Sequence, residues 1–181
     1  MKVLASKGIR QLKVTAYYTG TSGTYASAQP TAETSQYIQQ CCEKASWMGF
    51  KATGPLDQHT TVIHSKKGLD WQQQHDLWMN GFNASRVFEA TVKGFTHWAG
   101  HNDKGYVVME IDCPELQLVN AWLRKTYDLP VSFDEYRPHV TIVEDAYVNS
   151  VSYAEQLIEE LNKIPKPLSI AFTGLRVEDL K

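Results

Sequence analysis

Two short segments of the sequence repeat one arrangement of side chains that could act on a phosphate. Each segment is an H-x-T triplet followed by a β-branched residue: His59-Thr60-Thr61-Val62 and His139-Val140-Thr141-Ile142. Because residues i and i+2 of a strand face the same side, His59 should point with Thr61, and His139 with Thr141. The residues between and after them should face the opposite side and pack in the interior.

Two imidazoles on either side of a phosphate form a general acid–base pair. One takes a proton from the attacking oxygen and the other gives a proton to the leaving oxygen, and imidazole suits both tasks because its pKa lies near neutrality. Each threonine hydroxyl can donate a hydrogen bond to a non-bridging phosphate oxygen, where charge grows in the transition state. The motifs therefore predict catalysis by His59, Thr61, His139 and Thr141. They predict no metal and no other cofactor, because the sequence offers no carboxylate cluster of the kind that binds Mg²⁺.

The surroundings of the two motifs indicate an internal duplication. A single H-x-T triplet arises readily by chance, but His59 precedes Gly94 by 35 residues and His139 precedes Gly174 by the same interval. The residues around the two glycines, 90–95 and 170–175, also correspond in type. If a pseudo-twofold axis relates the halves, both H-x-T pairs converge on one cleft.

The hydrophobic periodicity assigns elements to both halves in nearly the same order. Strands are predicted at 12–18, 59–65, 87–98, 106–112, 138–143 and 168–173, and helices at 31–48, 114–127 and 151–164. The stretch 20–30, rich in Gly, Ser, Thr and Ala, is expected to be a flexible loop, and 69–85 to be partly helical. This pattern predicts the α+β class: a single domain over 1–181 with two duplicated lobes (approximately 11–100 and 105–176), antiparallel-rich sheets lining a central cleft, and helices outside.

Composition narrows the classes of function. The 181 residues are 43% hydrophobic and 21% charged, with a formal net charge of −2, which is typical of an ordinary globular chain. Proteins that coat long nucleic acids need a basic surface, so this balance argues against that class but allows a pocket for a small nucleotide. The three cysteines without paired spacing, the short apolar N-terminus and the lack of a long apolar run predict a cytoplasmic protein with no membrane segment.

These motifs resemble those of the two-histidine (2H) phosphoesterase superfamily, over roughly Leu12 to Leu175. Its members include RNA 2′,3′-cyclic phosphodiesterases, 2′-5′ oligoadenylate phosphodiesterases and phage enzymes. The residues before the second motif, Phe133-Asp134-Glu135-Tyr136-Arg137-Pro138, and those after the first, Ile63-His64-Ser65-Lys66-Lys67, are similar to the phage anti-CBASS phosphodiesterases. Those enzymes destroy the cyclic di- and trinucleotide signals of bacterial antiphage defence.

The resemblance implies a phosphodiesterase that cleaves the 3′-5′ bonds of cyclic oligonucleotides and so evades host signalling. The implied route is attack by the adjacent ribose 2′-OH, which forms a 2′,3′-cyclic phosphate that water can open. Two alternatives stay open. One keeps the chemistry but changes the substrate to a 2′,3′-cyclic RNA end or a 2′-5′ linkage, and the other is a protein that sequesters nucleotides without cutting them.

Several further residues are candidates for binding substrate. Aromatic side chains near the cleft could stack on nucleobases, and positive side chains could hold phosphates. The candidates are Tyr17, Trp98, Tyr136, Arg137 and the pair Lys66–Lys67. Trp98 is the strongest aromatic candidate because it ends the strand that follows the first motif.

Three other histidines are not assigned to the site, and His64 is interpreted as structural. His64 lies five residues after His59 and should face the opposite side of an uninterrupted strand. His97 and His101 have a spacing used in metal-binding helices, but Gly100 between them and the lack of a third ligand argue against a metal site.

Overall fold

The computed structural model describes residues 23–80, 85–100, 104–131, 135–147 and 150–179. The helices in these ranges are α1 (Ala32–Trp47), α2 (Trp71–Met79), α3 (Pro114–Tyr127) and α4 (Val151–Asn162). The strands are β1 (Thr24–Pro30), β2 (Thr60–Ser65), β3 (Val87–Ala99), β4 (Gly105–Asp112), β5 (His139–Val143) and β6 (Ile170–Asp179). None of the described helices is long and apolar enough to span a bilayer. The strand predicted at 12–18 lies outside the described residues.

The six strands close into an antiparallel barrel in the order β1-β2-β5-β4-β3-β6. Exchanging β1 with β4, β2 with β5 and β3 with β6 gives the same circular order of strands, read in the opposite direction. The topology therefore has the pseudo-twofold symmetry expected of a duplication, with the axis passing between β2 and β5. The halves interlock, because β3 of the first half pairs with β4 of the second and β6 of the second half pairs with β1 of the first. The limits of the two lobes stay a prediction.

The strand β1 corrects the loop predicted at 20–30. Thr24–Pro30 pairs with β2 along one edge and with β6 along the other, so its backbone groups serve two ladders. Its Ala, Ser and Gln residues are weak strand formers, which is why local propensity suggested a loop. Ala26 and Ala28 are fully buried, and their small side chains let α1 pack closely on the strand. Tertiary pairing overrides local propensity here.

The connection from β1 to α1 is also shorter than the sequence suggested. The single residue Thr31 follows β1 and caps α1, since its side chain accepts a hydrogen bond from the Thr34 backbone N–H. In the second half, Cys113 alone separates β4 from α3. The two halves are therefore more alike at this junction than the predicted long loop implied.

Each H-x-T strand contains a β-bulge directly after its threonine. The register of β2 with β1 skips Val62, and the register of β5 with β4 skips Ile142. A bulge shifts the alternation of side chains by one residue, so the bulge residue and the next one are both buried: Val62-Ile63 in β2 and Ile142-Val143 in β5. The hydrophobic residue that follows each H-x-T triplet is thus the bulge itself.

Each bulge frees a backbone carbonyl, and the fold supplies each with a donor. The Val62 carbonyl accepts a hydrogen bond from the side-chain amide of Asn120 on α3 at 2.6 Å. The Ile142 carbonyl accepts one from the Thr53 backbone N–H at 2.9 Å. Asn120 is 5% exposed, so water has little access to either partner of its bond.

The helices α1, α3 and α4 cover the outer face of the barrel. They turn their apolar residues towards it: Ile38, Cys41 and Ala45 of α1, Leu116, Val119 and Leu123 of α3, and Ala154, Leu157 and Leu161 of α4. The strand residues that meet them are fully buried, among them Val62, Phe88, Met109, Val140 and Phe172. The H-x-T side chains alternate away from this core, so the arrangement is the predicted one, with sheet lining a cleft and helices outside.

Replacing Asn120 with alanine should lower the free energy of unfolding by about 1–3 kcal/mol, because the buried Val62 carbonyl loses its side-chain donor. Urea unfolding followed by circular dichroism measures this difference. Gln117→Ala changes an exposed residue of the same helix and should alter stability by less than about 0.5 kcal/mol. Equal stability of the two variants would show that the bulge does not need Asn120.

Candidate active site

The two H-x-T motifs meet where β2 and β5 lie side by side, and we call this place the β2–β5 seam. The strands pair through the middle residues of the two motifs. An antiparallel register through that pair places His59 opposite Thr141 and Thr61 opposite His139, all on one face. The register therefore brings the four predicted catalytic residues together.

Both imidazoles at the seam are held by the backbone in the same way. His59 Nδ1 lies 2.6 Å from the carbonyl oxygen of Asp57, and His139 Nδ1 lies 2.8 Å from that of Arg137. A carbonyl oxygen can only accept, so each Nδ1 carries the hydrogen and donates it. In the neutral ring the lone pair is then on Nε2, which makes Nε2 the atom that exchanges protons with a substrate.

Tyr25 on β1 completes the first motif, and the sequence analysis missed it. Its hydroxyl lies 2.5 Å from His59 Nε2 and 2.9 Å from Thr61 Oγ1. When the His59 ring is neutral, its Nε2 accepts from the tyrosine hydroxyl, and the Thr61 hydroxyl then donates to the tyrosine oxygen. The phenol oxygen thus contacts the two groups that a phosphate ester would contact. Tyr25 lies in the segment predicted to be a loop, and no local pattern in the sequence places it beside β2.

His139 has a more enclosed environment. The Trp98 ring packs against it with 4.4 Å between ring centroids and 60° between ring planes, so the aromatic candidate preferred from the sequence lies beside a predicted catalytic residue. Burial lowers the pKa of His139, and the positive charge of protonated His59 lowers it further, against the opposing effects of the Arg137 carbonyl and Glu110. His139 is therefore neutral at pH 7 and able to accept a proton.

His64 lies on the cleft face, contrary to the expectation from an uninterrupted strand. It pairs directly opposite Tyr25, and directly opposed residues of a ladder share a face. The Tyr25 ring contacts both histidines, with centroid separations of 5.8 Å to His59 and 6.2 Å to His64. The bulge at Val62 is the physical reason, because it reverses the alternation between positions 61 and 64.

Two of the predicted binding residues have other contacts. The Tyr136 hydroxyl donates to the Thr61 carbonyl at 2.9 Å, and burial raises the pKa of this phenol, so its polar end supports β2. Arg137 is exposed, and its guanidinium forms an ion pair with Glu135 at 2.9 Å, while its carbonyl orients His139. Base or phosphate contacts by these two side chains stay predictions.

The lysine pair is divided between two environments. Lys67 Nζ donates to the carbonyls of Tyr127 and Asp128 at 2.9 and 3.0 Å and so caps the C-terminal end of α3. Lys66 is exposed. Tyr17, predicted to bind substrate, lies outside the described residues.

The possible metal ligands do not form a site in the described part of the chain. His97 Nδ1 lies 2.6 Å from the Tyr147 hydroxyl, and His101 is outside the described ranges. Among the residues that the structure places, no group of three or more His, Cys, Asp or Glu side chains could hold a metal ion.

Comparison with solved structures identifies the fold. Escherichia coli LigT without ligand superposes with a TM-score of 0.56 at 17% identity, covering 90% of this chain and 96% of that chain. LigT complexed with 3′-AMP gives 0.55 at 15% identity, with 88% of each chain covered. Kluyveromyces marxianus Usb1 with uridine monophosphate gives 0.52 at 10% identity, covering 88% of this chain and 94% of that chain. At these identities the likeness shows a shared fold.

Comparison of sequences identifies the family. Residues 22–166 match the family described as anti-CBASS protein Acb1. A curated relative, the anti-CBASS protein Acb1 of Sphingomonas paeninsulae, is 33% identical over 104 residues, which is 56% of this chain and 16% of that protein. The match therefore spans a small part of that relative's length. The family match covers most of this chain, and the chain belongs to the anti-CBASS protein Acb1 family, with the fold of the 2H phosphoesterases.

Proposed function

We propose that this protein is a metal-independent phosphodiesterase that cleaves the 3′-5′ bonds of cyclic di- and trinucleotide messengers and so counters CBASS signalling. The observation that carries the proposal is the imidazole pair at the β2–β5 seam, each ring held through Nδ1 by the carbonyl two residues before it. Two proton-transfer atoms with hydroxyl donors beside them are what metal-independent phosphodiester cleavage requires.

The family supports the substrate class. Its description as anti-CBASS points to the signals of that defence, and two proteins of the same fold are known in complex with 3′-AMP and uridine monophosphate. The net charge of −2 favours a small nucleotide over a long nucleic acid. Action in the cytoplasm, in that of the host if the chain is phage-encoded, belongs to the same proposal.

The environments of the two histidines suggest their roles. Burial keeps His139 neutral, so its Nε2 takes the proton of the ribose 2′-OH as that oxygen attacks phosphorus. The bond from phosphorus to O5′ breaks, and protonated His59 gives its Nε2 proton to O5′. The product is a 2′,3′-cyclic phosphate, which water opens in a second step with the two roles reversed.

The two threonines act on the phosphate group in this scheme. Thr61 and Thr141 donate hydrogen bonds to the non-bridging oxygens, on which negative charge accumulates. In the ligand-free protein the Thr61 hydroxyl is hydrogen-bonded to the Tyr25 hydroxyl, 2.9 Å away. A bound phosphate offers it a stronger, charged acceptor, and so draws that hydrogen bond to the substrate.

Replacing either His59 or His139 with alanine should lower kcat for 3′,3′-cyclic GMP–AMP by about 10²–10⁴-fold, because each imidazole transfers a proton in the transition state. The assay contains EDTA, and product mass gives the rate. His75→Ala, which removes an exposed histidine on α2, is the matched control and should keep wild-type activity.

The same assay separates the alternatives. Turnover of 2′,3′-cyclic RNA ends alone would replace the proposed substrate, and tight binding of intact cyclic GMP–AMP without turnover would indicate sequestration. Loss of wild-type activity in EDTA would contradict metal independence.

Replacing Thr61 or Thr141 with valine should reduce kcat by about 10²–10³-fold, the effect of removing one donor from a developing oxyanion. Valine keeps the branched shape, so the loss reports the hydroxyl. Serine at the same position supplies the hydroxyl again and should restore most of the rate. A large loss in the serine variant with little loss in the valine variant would mean that packing of the methyl group, and not the hydrogen bond, explains the effect.

The pH dependence of kcat/KM should report the low pKa of His139. A base with a lowered pKa stays neutral as the pH falls, so the acid limb of the profile should lie below the ordinary histidine value of about 6.5. Trp98→Ala exposes the imidazole to water and should move that limb to higher pH. An acid limb that does not move in Trp98→Ala would contradict burial as the cause or His139 as the base.

A further inference from the structure

A row of polar side chains extends the cleft from the first H-x-T motif across β1 to β6. Ser27 of β1 pairs with Thr61 of β2 on one side and with Arg176 of β6 on the other. Directly opposed residues share a face, so Arg176 lies on the cleft face in line with Thr61. Two strand spacings, about 10 Å, separate their backbones, a distance that a long arginine side chain can largely span.

His64 flanks the same region from the β2 side. It is exposed, and its ring centroid lies 6.2 Å from that of Tyr25, whose hydroxyl touches His59 Nε2. The Tyr25 ring thus lies beside both imidazoles, with its centroid 5.8 Å from that of His59 and 6.2 Å from that of His64. His64 therefore lies on the far side of the Tyr25 ring from β6, on the same face of the sheet as the first H-x-T motif.

The chemistry of this pair suits a phosphate that is not being cleaved. Arginine presents a planar fork of N–H donors that matches phosphate oxygens and stays charged at all relevant pH. Imidazole offers an N–H donor in either charge state. Neither side chain has a role in the proton transfers at the β2–β5 seam, yet both lie on the same face of the sheet as the two imidazoles of the seam.

We propose that His64 and Arg176 form a second phosphate subsite beside Tyr25, which selects substrates that carry at least two phosphates. The inference rests on the proposed function, in which one phosphate lies between His59 and His139. A cyclic dinucleotide then places its second phosphodiester over the Tyr25 side of the cleft. A 2′,3′-cyclic mononucleotide has no group to put there, so the subsite favours ring-shaped messengers over RNA ends.

Binding measurements in a His139→Ala background test the subsite without consuming the ligand. The probes are 3′,3′-cyclic GMP–AMP, the linear dinucleotide GpA with one internal phosphate, and pGpA, which adds a terminal phosphate. We expect His64→Ala and Arg176→Ala each to weaken calorimetric binding of cyclic GMP–AMP roughly tenfold to a hundredfold, the usual effect of losing a charge-assisted hydrogen bond. Binding of GpA should change less than about twofold, because its one phosphate lies between positions 59 and 139 and leaves the subsite without a charged partner.

Matched variants separate the subsite from general electrostatics. Lys125→Ala removes one exposed positive charge on α3 and should leave all three affinities unchanged. Arg176→Lys keeps the charge but loses the fork, and should recover part of the affinity. Equal weakening of cyclic GMP–AMP and GpA, or no weakening of cyclic GMP–AMP, would overturn the subsite.

The outcome for pGpA assigns the contact to phosphate. Weaker binding of pGpA in either variant supports a phosphate contact. An unchanged pGpA affinity together with weaker cyclic GMP–AMP binding would show that His64 and Arg176 recognise the cyclic shape of the ligand, and would overturn a phosphate subsite. If the protein with both catalytic histidines cleaves none of the ligands, the proposed function fails, but the affinity differences still decide whether the subsite exists.

Discussion

The site depends on one narrow contact, the pairing of β2 with β5 through the middle residues of the two H-x-T motifs. This contact places two imidazoles and two hydroxyls side by side on one face of the sheet. The paired stretch is short because each strand leaves regular pairing directly after its H-x-T triplet, at the bulges on Val62 and Ile142. A bulge bends and twists its strand, so the two strands separate beyond the motifs.

The cost of the bulges explains polar contacts that otherwise have no obvious purpose. A buried carbonyl without a partner is destabilising, and each bulge carbonyl has a donor, Asn120 in one half and the Thr53 backbone N–H in the other. The tyrosine hydroxyl of Tyr136 supports the Thr61 carbonyl in the same strand. The motif strands are therefore held by groups outside the cleft.

A symmetric scaffold carries an asymmetric site. The backbone holds the two imidazoles alike, but a phenol hydroxyl contacts His59 whereas the indole of Trp98 covers His139. The positions after the two bulges differ as well, with His64 in one half and the exposed Glu144 in the other. Unequal burial makes the two rings chemically different, because it lowers the pKa of His139 and so favours its neutral form.

The sequence by itself determined the spacing of the motifs, the duplication, the α+β class and most helices and strands, because these depend on local periodicity and on the i, i+2 rule. The tertiary structure alone decided the strand nature of Thr24–Pro30, where pairing on two edges outweighs weak propensity. It thereby decided the place of Tyr25 beside His59. It also decided the face of His64 and the row from Thr61 to Arg176, because bulges and cross-strand register arise between strands and leave no periodic signal in either one.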